Sequence, residues 1–200
     1  MGKCHFCKAK ISGQYPLVEL LSAFAAAAAA LKFGITPTGC IIYALSAALI
    51  VITFIDLEFK IIPNVISFPG MIFGLLLGIA AQYTPYFTTP LTESAWDSLL
   101  GFLCGGGFFY AIGAVYYICT KRVGLGGGDI KLMSMTGAIL GVNSVPPSIF
   151  IGSMLGAVIG ILLMTIGGNG RHTEIPFGPW LAAGVFAFLY ADTSLFQIIP

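Results

Sequence analysis

Two aspartates have surroundings that suit a catalytic pair. Asp56 closes an apolar stretch, and Asp129 opens another one directly after three glycines. Two carboxyl groups held close together cannot both ionise readily, so they share a proton, and one can take a proton from water while the other donates to a peptide carbonyl. This chemistry needs no metal and no covalent intermediate. The two residues therefore predict hydrolysis of a peptide bond, provided that the fold brings them together.

The motifs that other hydrolytic mechanisms need are absent from this sequence. The histidines are His5 and His172, both outside the apolar stretches, and no His-Glu-x-x-His motif occurs, so an intramembrane zinc protease is excluded. A Gly-x-Ser-x-Gly motif is absent, and no histidine lies at membrane depth to activate a serine. Because Gly128 is followed by an aspartate rather than by Lys and Ser or Thr, the glycine run is not a phosphate-binding loop.

The elements that must position the aspartates belong in a membrane. Of 200 residues, 58% are hydrophobic and 8% are charged, with a net charge of +1, whereas globular chains carry about 25% charged residues. This composition excludes a strongly basic nucleic-acid binder, a secreted disulfide scaffold and a disordered tail. Six mostly apolar segments predict spanning helices, and a seventh, Asp129 to Val142, is shorter and begins with Asp129 and Lys131, so that hydropathy alone does not identify it. They run from about Leu17 to Phe33, Cys40 to Ile55, Val65 to Tyr83, Leu99 to Cys119, Asp129 to Val142, Pro147 to Gly167 and Ile175 to Ala191.

The basic residues predict the orientation of these spans, because Lys and Arg in short loops mark the cytoplasmic side. With the short segment from Asp129 counted as a span and the N terminus inside, eight of the nine basic residues lie on the inner side and only Lys32 lies outside. We therefore expect an all-α, polytopic membrane helix bundle with about seven transmembrane helices and a cytoplasmic N terminus. A short cytoplasmic segment, residues 1–16, would precede one transmembrane domain, residues 17–200, with both aspartates at the cytoplasmic edge.

The helix ends predict different starting states for the two aspartates. Asp129 meets the positive end of its helix dipole, whereas Asp56 meets the negative end of its own. We expect Asp129 to start as the base and Asp56 as the acid, although the proton belongs to the pair. For either residue alone, an ordinary role at a helix end near the headgroups stays open.

Glycine is expected to act in two ways. In the run before Asp129, the absence of Cβ atoms allows unusual φ and ψ values and lets the backbone lie against a substrate strand. Elsewhere, glycines four residues apart let membrane helices approach closely. Those predicted to pack in this way are Gly74, Gly78, Gly156 and Gly160.

Four segments in matching order carry a family resemblance over the whole chain. They are Cys4-His-Phe-Cys7 with Ile11-Ser12 and Tyr15-Pro16-Leu17-Val18-Glu19-Leu20; Asp56 with Ile62-Pro63-Asn64; Gly126-Gly127-Gly128-Asp129-Ile130-Lys131-Leu132; and Ile175-Pro176-Phe177-Gly178-Pro179 with Ala182-Ala183-Gly184. Together they resemble the type IV prepilin peptidase family, bacterial aspartyl membrane proteases with a GxGD motif. The resemblance implies an aspartic endopeptidase whose catalytic pair is Asp56 and Asp129.

The resemblance also implies substrates and a location. The expected partners are prepilins and pseudopilins of type IV pilus and type II secretion systems, whose basic leader is cut after a glycine. Cleavage would take place at the cytoplasmic face of the bacterial inner membrane. No cofactor is expected for peptidase activity, nucleic acid is not an expected partner, and the oligomeric state is left open.

Residues near the pair are the candidates for substrate binding. They are Gly126, Gly127, Gly128, Lys131, Glu58 and Glu174. A basic inner face should not attract a basic leader, so the two glutamates are the acids expected to receive it. Ordinary interfacial charges are the alternative reading of both.

The first residues depart from the family pattern. Many members begin with another span and a cytoplasmic segment with two Cys-x-x-Cys pairs, which is linked to N-methylation of the new N terminus. This chain resembles a short form that starts at the second pair, Cys4 and Cys7. A structural zinc site takes four ligands, so we expect no zinc there without further ligands, and the sequence argues against N-methylation.

Two other classes stay open on the residues alone. Intramembrane carboxylates and broken glycine-rich helices also mark the ion pathways of transporters and channels. A non-catalytic scaffold of an export machine would keep the topology and need neither aspartate. Replacement of Asp56 or Asp129 by Asn separates these classes, since a scaffold keeps its function and a catalytic pair loses nearly all of it.

Overall fold

Helices make up most of the part of the chain that the computed structural model describes, residues 2, 12–84, 87, 90–121, 126–166 and 176–191. The α-helices in these ranges are α1 (Gln14–Phe33), α2 (Pro37–Phe59), α3 (Asn64–Ala81), α4 (Ala95–Thr120), α5 (Gly127–Leu140), α6 (Val145–Ile166) and α7 (Gly178–Tyr190). A short 310 helix, Val142–Ser144, joins α5 to α6. These residues contain no strand, and the predicted all-α fold class is confirmed.

Five of the helical segments are long and apolar enough to cross a membrane. They are α1, α2, α3, α4 and the stretch Val142–Leu163, which includes most of α6. With 14 and 13 residues, α5 and α7 are shorter than the roughly 17 residues of a short spanning helix. The helical membrane character is thus confirmed, while the number of crossings and the cytoplasmic N terminus stay predictions.

The chain divides into two compact units, residues 1–51 and residues 52–200. The first holds α1 and most of α2, which are joined by a tight turn. The Thr36 hydroxyl in that turn accepts a hydrogen bond from the amide N of Gly39 at 3.1 Å, so the residue directly before α2 is of a type that caps helices well. The second unit holds the end of α2 and all of α3 to α7, including both aspartates.

The centre of the second unit is α5, which packs against α3, α4 and α7. Ten of its 14 residues are buried, including the continuous stretch from Leu132 to Leu140. A helix enclosed by protein needs no lipid-facing side, so it can carry polar residues such as Thr136, whose hydroxyl donates to the backbone O of Leu132 at 3.1 Å. This environment explains why hydropathy alone gives α5 a weak signal.

Small residues bring α3, α4 and α5 into backbone contact. A Cβ on Gly74 of α3 would lie 2.7 Å from the backbone of Ala138 in α5, and a Cβ on Gly101 of α4 would collide with the carbonyl of Gly137. The buried Ser98 hydroxyl of α4 lies 3.0 Å from the carbonyl O of Gly74 and 2.7 Å from that of Ala138. Close contacts confirm the predicted packing role at Gly74, Gly78 and Gly156.

The C-terminal end of α5 is tied to α4 by Asp97. Its Oδ1 accepts a hydrogen bond from the amide N of Val142 at 2.9 Å. Its Oδ2 accepts from the Thr92 hydroxyl at 3.0 Å and from the amide N of Glu93 at 3.2 Å. Gly141 ends α5 with a φ of +79°, and a Cβ there would collide with the Asp97 carboxylate. Both backbone conformation and space therefore require glycine at this turn.

Candidate active site

Asp56 lies in the last turn of α2, immediately before the chain reverses. Lys60 has a φ of +55°, and its amide N donates to the backbone O of Asp56 at 2.9 Å, which closes the helix. The Asp56 side chain is 6% exposed, whereas its neighbours Leu57 and Glu58 are exposed. A carboxyl group that only ended a helix would be expected to face water, so burial sets Asp56 apart from its neighbours.

Asp129 is the third residue of α5 and is 8% exposed. Its amide N donates to the carbonyl O of Gly126 at 3.3 Å, and Gly126 has φ −69° and ψ 131°, values that any residue adopts. The unusual φ expected for the glycine run is therefore wrong at Gly126. Space explains Gly128 instead, because a Cβ there would lie 3.0 Å from Cγ1 of Ile62.

The N terminus of α7 meets the Asp56 carboxyl group. The amide N of Gly178, the first residue of α7, donates to Asp56 Oδ2 at 3.1 Å in a buried contact. Helix N-termini interact favourably with negative charge. The sequence argument considered only the end of α2, and the structure adds a competing interaction from α7. Asp56 thus contacts the N terminus of α7, whereas Asp129 lies in the first turn of α5, and the assignment of base and acid stays a prediction.

Ile62 connects the surroundings of the two aspartates. It follows the reversal at Lys60 and is 7% exposed. Its side chain packs against Gly128, which precedes Asp129, and its Cδ1 lies 3.4 Å from where a Cβ on Gly178 would be. Asp56 also lies near enough to Asp129 to act on it electrostatically. The structure therefore brings together two carboxyl groups that are 73 positions apart in sequence.

This arrangement has the elements of water-activating chemistry. Two nearly buried carboxyl groups held close together can share a proton over a range of pH. One member then accepts a proton from water while the other donates to a carbonyl oxygen. Burial strengthens both interactions because the local dielectric is low.

The candidate substrate-binding residues have different settings. Gly126 and Gly127 are exposed beside Asp129, and a Cβ on Gly127 would meet nothing within 4 Å. Lys131 is engaged elsewhere, because its Nζ donates to Asn64 Oδ1 at 2.7 Å and lies 5.6 Å from the centre of the Phe68 ring. These contacts link α5 to the start of α3. Glu58 is exposed on α2, and Glu174 lies outside the described residues.

The described ranges hold no group of three or more His, Cys, Asp or Glu residues that could bind a metal ion. Cys4 and Cys7, the weak zinc candidates, lie outside those ranges. The expectation for zinc at this pair therefore stays a prediction.

Sequence reasoning assigned no role to the Gly178 amide, to Ile62 or to Asn64. A signal for the first existed, because glycine followed by Pro179 suits a helix start, where a missing N–H is harmless and φ is preset. That signal predicts a helix N terminus, which attracts carboxylates. The contacts of Ile62 and Asn64 depend on how separate helices pack, and no local sequence pattern predicts them.

Comparison with known proteins gives matches along most of the chain. The type IV leader peptidase family matches residues 43–161, which include both aspartates, and the bacterial peptidase A24 N-terminal domain matches residues 1–33. No solved structure matches the chain.

Three relatives illustrate the similarity, each named prepilin leader peptidase/N-methyltransferase. The protein from Neisseria gonorrhoeae is 34% identical over 99% of this chain and 65% of its own length. Those from Aeromonas salmonicida and Pseudomonas aeruginosa are each 33% identical over 96% of this chain and 63% of their own length. The chain thus spans slightly less than two thirds of these relatives.

Proposed function

Because the chain belongs to the type IV leader peptidase family, we propose that it is a membrane aspartic endopeptidase that uses Asp56 and Asp129 as its catalytic pair. One observation carries the proposal. The amide of Gly178 donates to the carboxyl group of Asp56, and Asp129, which directly follows the glycine run, is buried near it. Neither a non-catalytic scaffold nor an ion pathway would need the glycine run before Asp129 together with a second, buried aspartate close by.

The reaction is hydrolysis of an amide by an activated water. The pair carries one proton at the start, and a water held between the two carboxyl groups attacks the peptide carbonyl carbon. One carboxylate takes a proton from the water while the other carboxyl group gives its proton to the carbonyl oxygen. The C–N bond of the resulting tetrahedral diol then breaks, the leaving amine takes up a proton from the pair, and one hydroxyl of the diol returns its proton to the pair as the carboxylic acid forms. Asp129 acts as the first base in this scheme, and Gly178 holds Asp56 in place.

The proposed substrates are prepilins and pseudopilins, cut after the glycine that ends their basic leader. The proposed place is the cytoplasmic face of a bacterial inner membrane, which the distribution of basic residues supports. The exposed backbone at Gly126 and Gly127 would lie along the substrate strand, and Glu58 and Glu174 are the acids proposed to receive the basic leader. The relatives are named for cleavage and N-methylation, and the proposal for this chain covers cleavage alone.

Cleavage by the purified full chain in detergent or lipid tests the proposal. The substrate is a synthetic peptide made of a basic leader, a glycine and the start of an apolar helix, and mass spectrometry reports the cut position and any added methyl group. We expect a single cut after the glycine, with loss of nearly all activity in Asp56→Asn and Asp129→Asn. Glu93→Gln, which changes an exposed acid, is the matched control and should cleave normally. Absence of cleavage by the wild type, or full activity in both Asn variants, would refute the proposal.

A further inference from the structure

Ile62 has a setting that differs from that of its neighbour. Both Ile61 and Ile62 lie in the short connection between α2 and α3, yet Ile61 is 59% exposed and Ile62 is 7% exposed. Since an apolar side chain in this protein can also face lipid, hydrophobicity alone does not select one of them for burial. The contacts that Ile62 makes inside the unit are the distinguishing feature.

These contacts are with the two backbone segments that carry the aspartates. Three Ile62 carbons, Cγ1, Cβ and Cδ1, lie 3.0 to 3.2 Å from the position of a Cβ on Gly128, and Cδ1 lies 3.4 Å from that of a Cβ on Gly178. Gly128 adjoins Asp129 in sequence, and the Gly178 amide holds Asp56. One side chain therefore packs between the supports of both carboxyl groups. The glycines allow the fit, because a Cβ at position 128 would require this side chain to move.

We propose that Ile62 is a positioning residue that sets the separation of the Asp56 and Asp129 carboxyl groups; this inference rests on the proposed function. A β-branched side chain suits the role, since Val and Ile have restricted χ1 rotamers and fill space rigidly. Removing the outer carbons of Ile62 would let the start of α5 and the start of α7 shift relative to each other. The chemistry is sensitive to such shifts, because a misplacement of about 1 Å can lower a rate roughly 100-fold.

Graded truncation at position 62 tests this inference with the cleavage assay. We expect Ile62→Ala to lower kcat on the order of 100-fold with little change in KM, and to move the limbs of the pH–rate profile, because the interaction between the two carboxyl groups changes with their separation. Ile62→Val, which deletes one methyl group, should fall between Ala and the wild type. Ile61→Ala is the matched control and should keep the wild-type kcat and pH profile. Thermal unfolding in detergent checks that each variant is folded.

Enlarging Gly128 while shortening Ile62 provides a second test. Its expected result is one that a general loss of stability would not produce. Gly128→Ala should lower kcat because its Cβ meets Ile62, and the double variant Gly128→Ala/Ile62→Ala should lose less than the product of the two single effects, since the shortened side chain makes room. An active wild type combined with an Ile62→Ala variant that matches Ile61→Ala would overturn the inference and leave the proposed function standing. The inference would also be overturned if the loss of kcat in the double variant equalled the product of the losses in the two single variants. A wild type that cleaves no peptide would refute the proposed function itself and this role with it.

Discussion

Gly178→Ala places a methyl group where the Asp56 carboxyl group now lies. Gly178 is buried at the start of α7, and a Cβ there would lie 2.6 Å from Oδ2 of Asp56 and 3.2 Å from its Cγ. Ordinary van der Waals contact begins at 3.4 Å, so the carboxyl group would have to retreat by roughly 0.8 Å. The third contact, with Cδ1 of Ile62, is already at 3.4 Å and needs no change.

The displacement should affect catalysis more than folding. Alanine is a better helix former than glycine by roughly 0.5–1 kcal/mol, which offsets part of the strain in the folded state. The retreat of Asp56 weakens the hydrogen bond from the Gly178 amide, now 3.1 Å long. Asp56 becomes a carboxylate when it gives its proton to the carbonyl oxygen, and a hydrogen bond to a charged group contributes about 1.5–3 kcal/mol. At 1.36 kcal/mol for each factor of ten in rate, that range corresponds to a loss in kcat of roughly 10-fold to 150-fold.

The assay is cleavage of the leader peptide, with kcat and KM measured separately and the folded fraction taken from thermal unfolding in detergent. Gly107→Ala is the control, because a Cβ at this exposed position of α4 would meet nothing within 4 Å. We expect Gly178→Ala to lose kcat at least 10-fold with KM little changed, while Gly107→Ala matches the wild type. Equal kcat values for the two variants, in folded protein, would show that the Gly178–Asp56 contact has no part in catalysis.

Three further variants probe the scaffold that supports the site. Asp97→Asn should lower the free energy of unfolding by about 1–3 kcal/mol in detergent, because three donors lose a carboxylate acceptor, and its cleavage rate per folded molecule should match the wild type. Ser98→Ala should lower that free energy by about 0.5–1.5 kcal/mol, since one hydroxyl now serves carbonyls of α3 and α5; an unchanged Tm would contradict this. Gly101→Val should sharply reduce the yield of folded protein, because even a single Cβ at Gly101 would collide with the Gly137 carbonyl. Recovery of normal amounts of monodisperse protein would refute that reasoning.

The sequence predicted the parts of this protein that depend on local pattern. Hydropathy located α1 to α4, α6 and α7, and the basic residues argued for the additional short helix that the structure shows as α5. Both aspartates stood out because ionisable groups near apolar segments are costly, and the structure buries both of them. The glycine spacing also pointed to close packing, which is present at Gly74 and Gly78.

What sequence reasoning missed depends on contacts between separate helices. The chain gives no local sign that Ile62, rather than Ile61, turns inward, because both are isoleucines in the same connection. Lys131 lies near the motif in sequence, yet its ammonium group binds Asn64 of α3. The end of α2 alone predicts an unfavourable dipole at Asp56, whereas α7, more than 100 residues further along the chain, supplies an amide that donates to its carboxyl group.

The length of α5 bears on where water reaches the site. Fourteen residues at about 1.5 Å each span about 21 Å, against a hydrocarbon layer of about 30 Å, so α5 cannot bring both of its ends to the bilayer surfaces. Buried backbone groups in lipid must be satisfied within the protein. The C-terminal end meets this requirement, since Asp97 accepts from the amide of Val142 and the Ile139 carbonyl accepts from the amide of Thr92 at 3.0 Å. At the N-terminal end, Gly126 and Gly127 are exposed, so water or a substrate strand can reach their backbone. The proposed hydrolysis needs both of these, which supports the end of α5 that carries Asp129 as the proposed site of reaction.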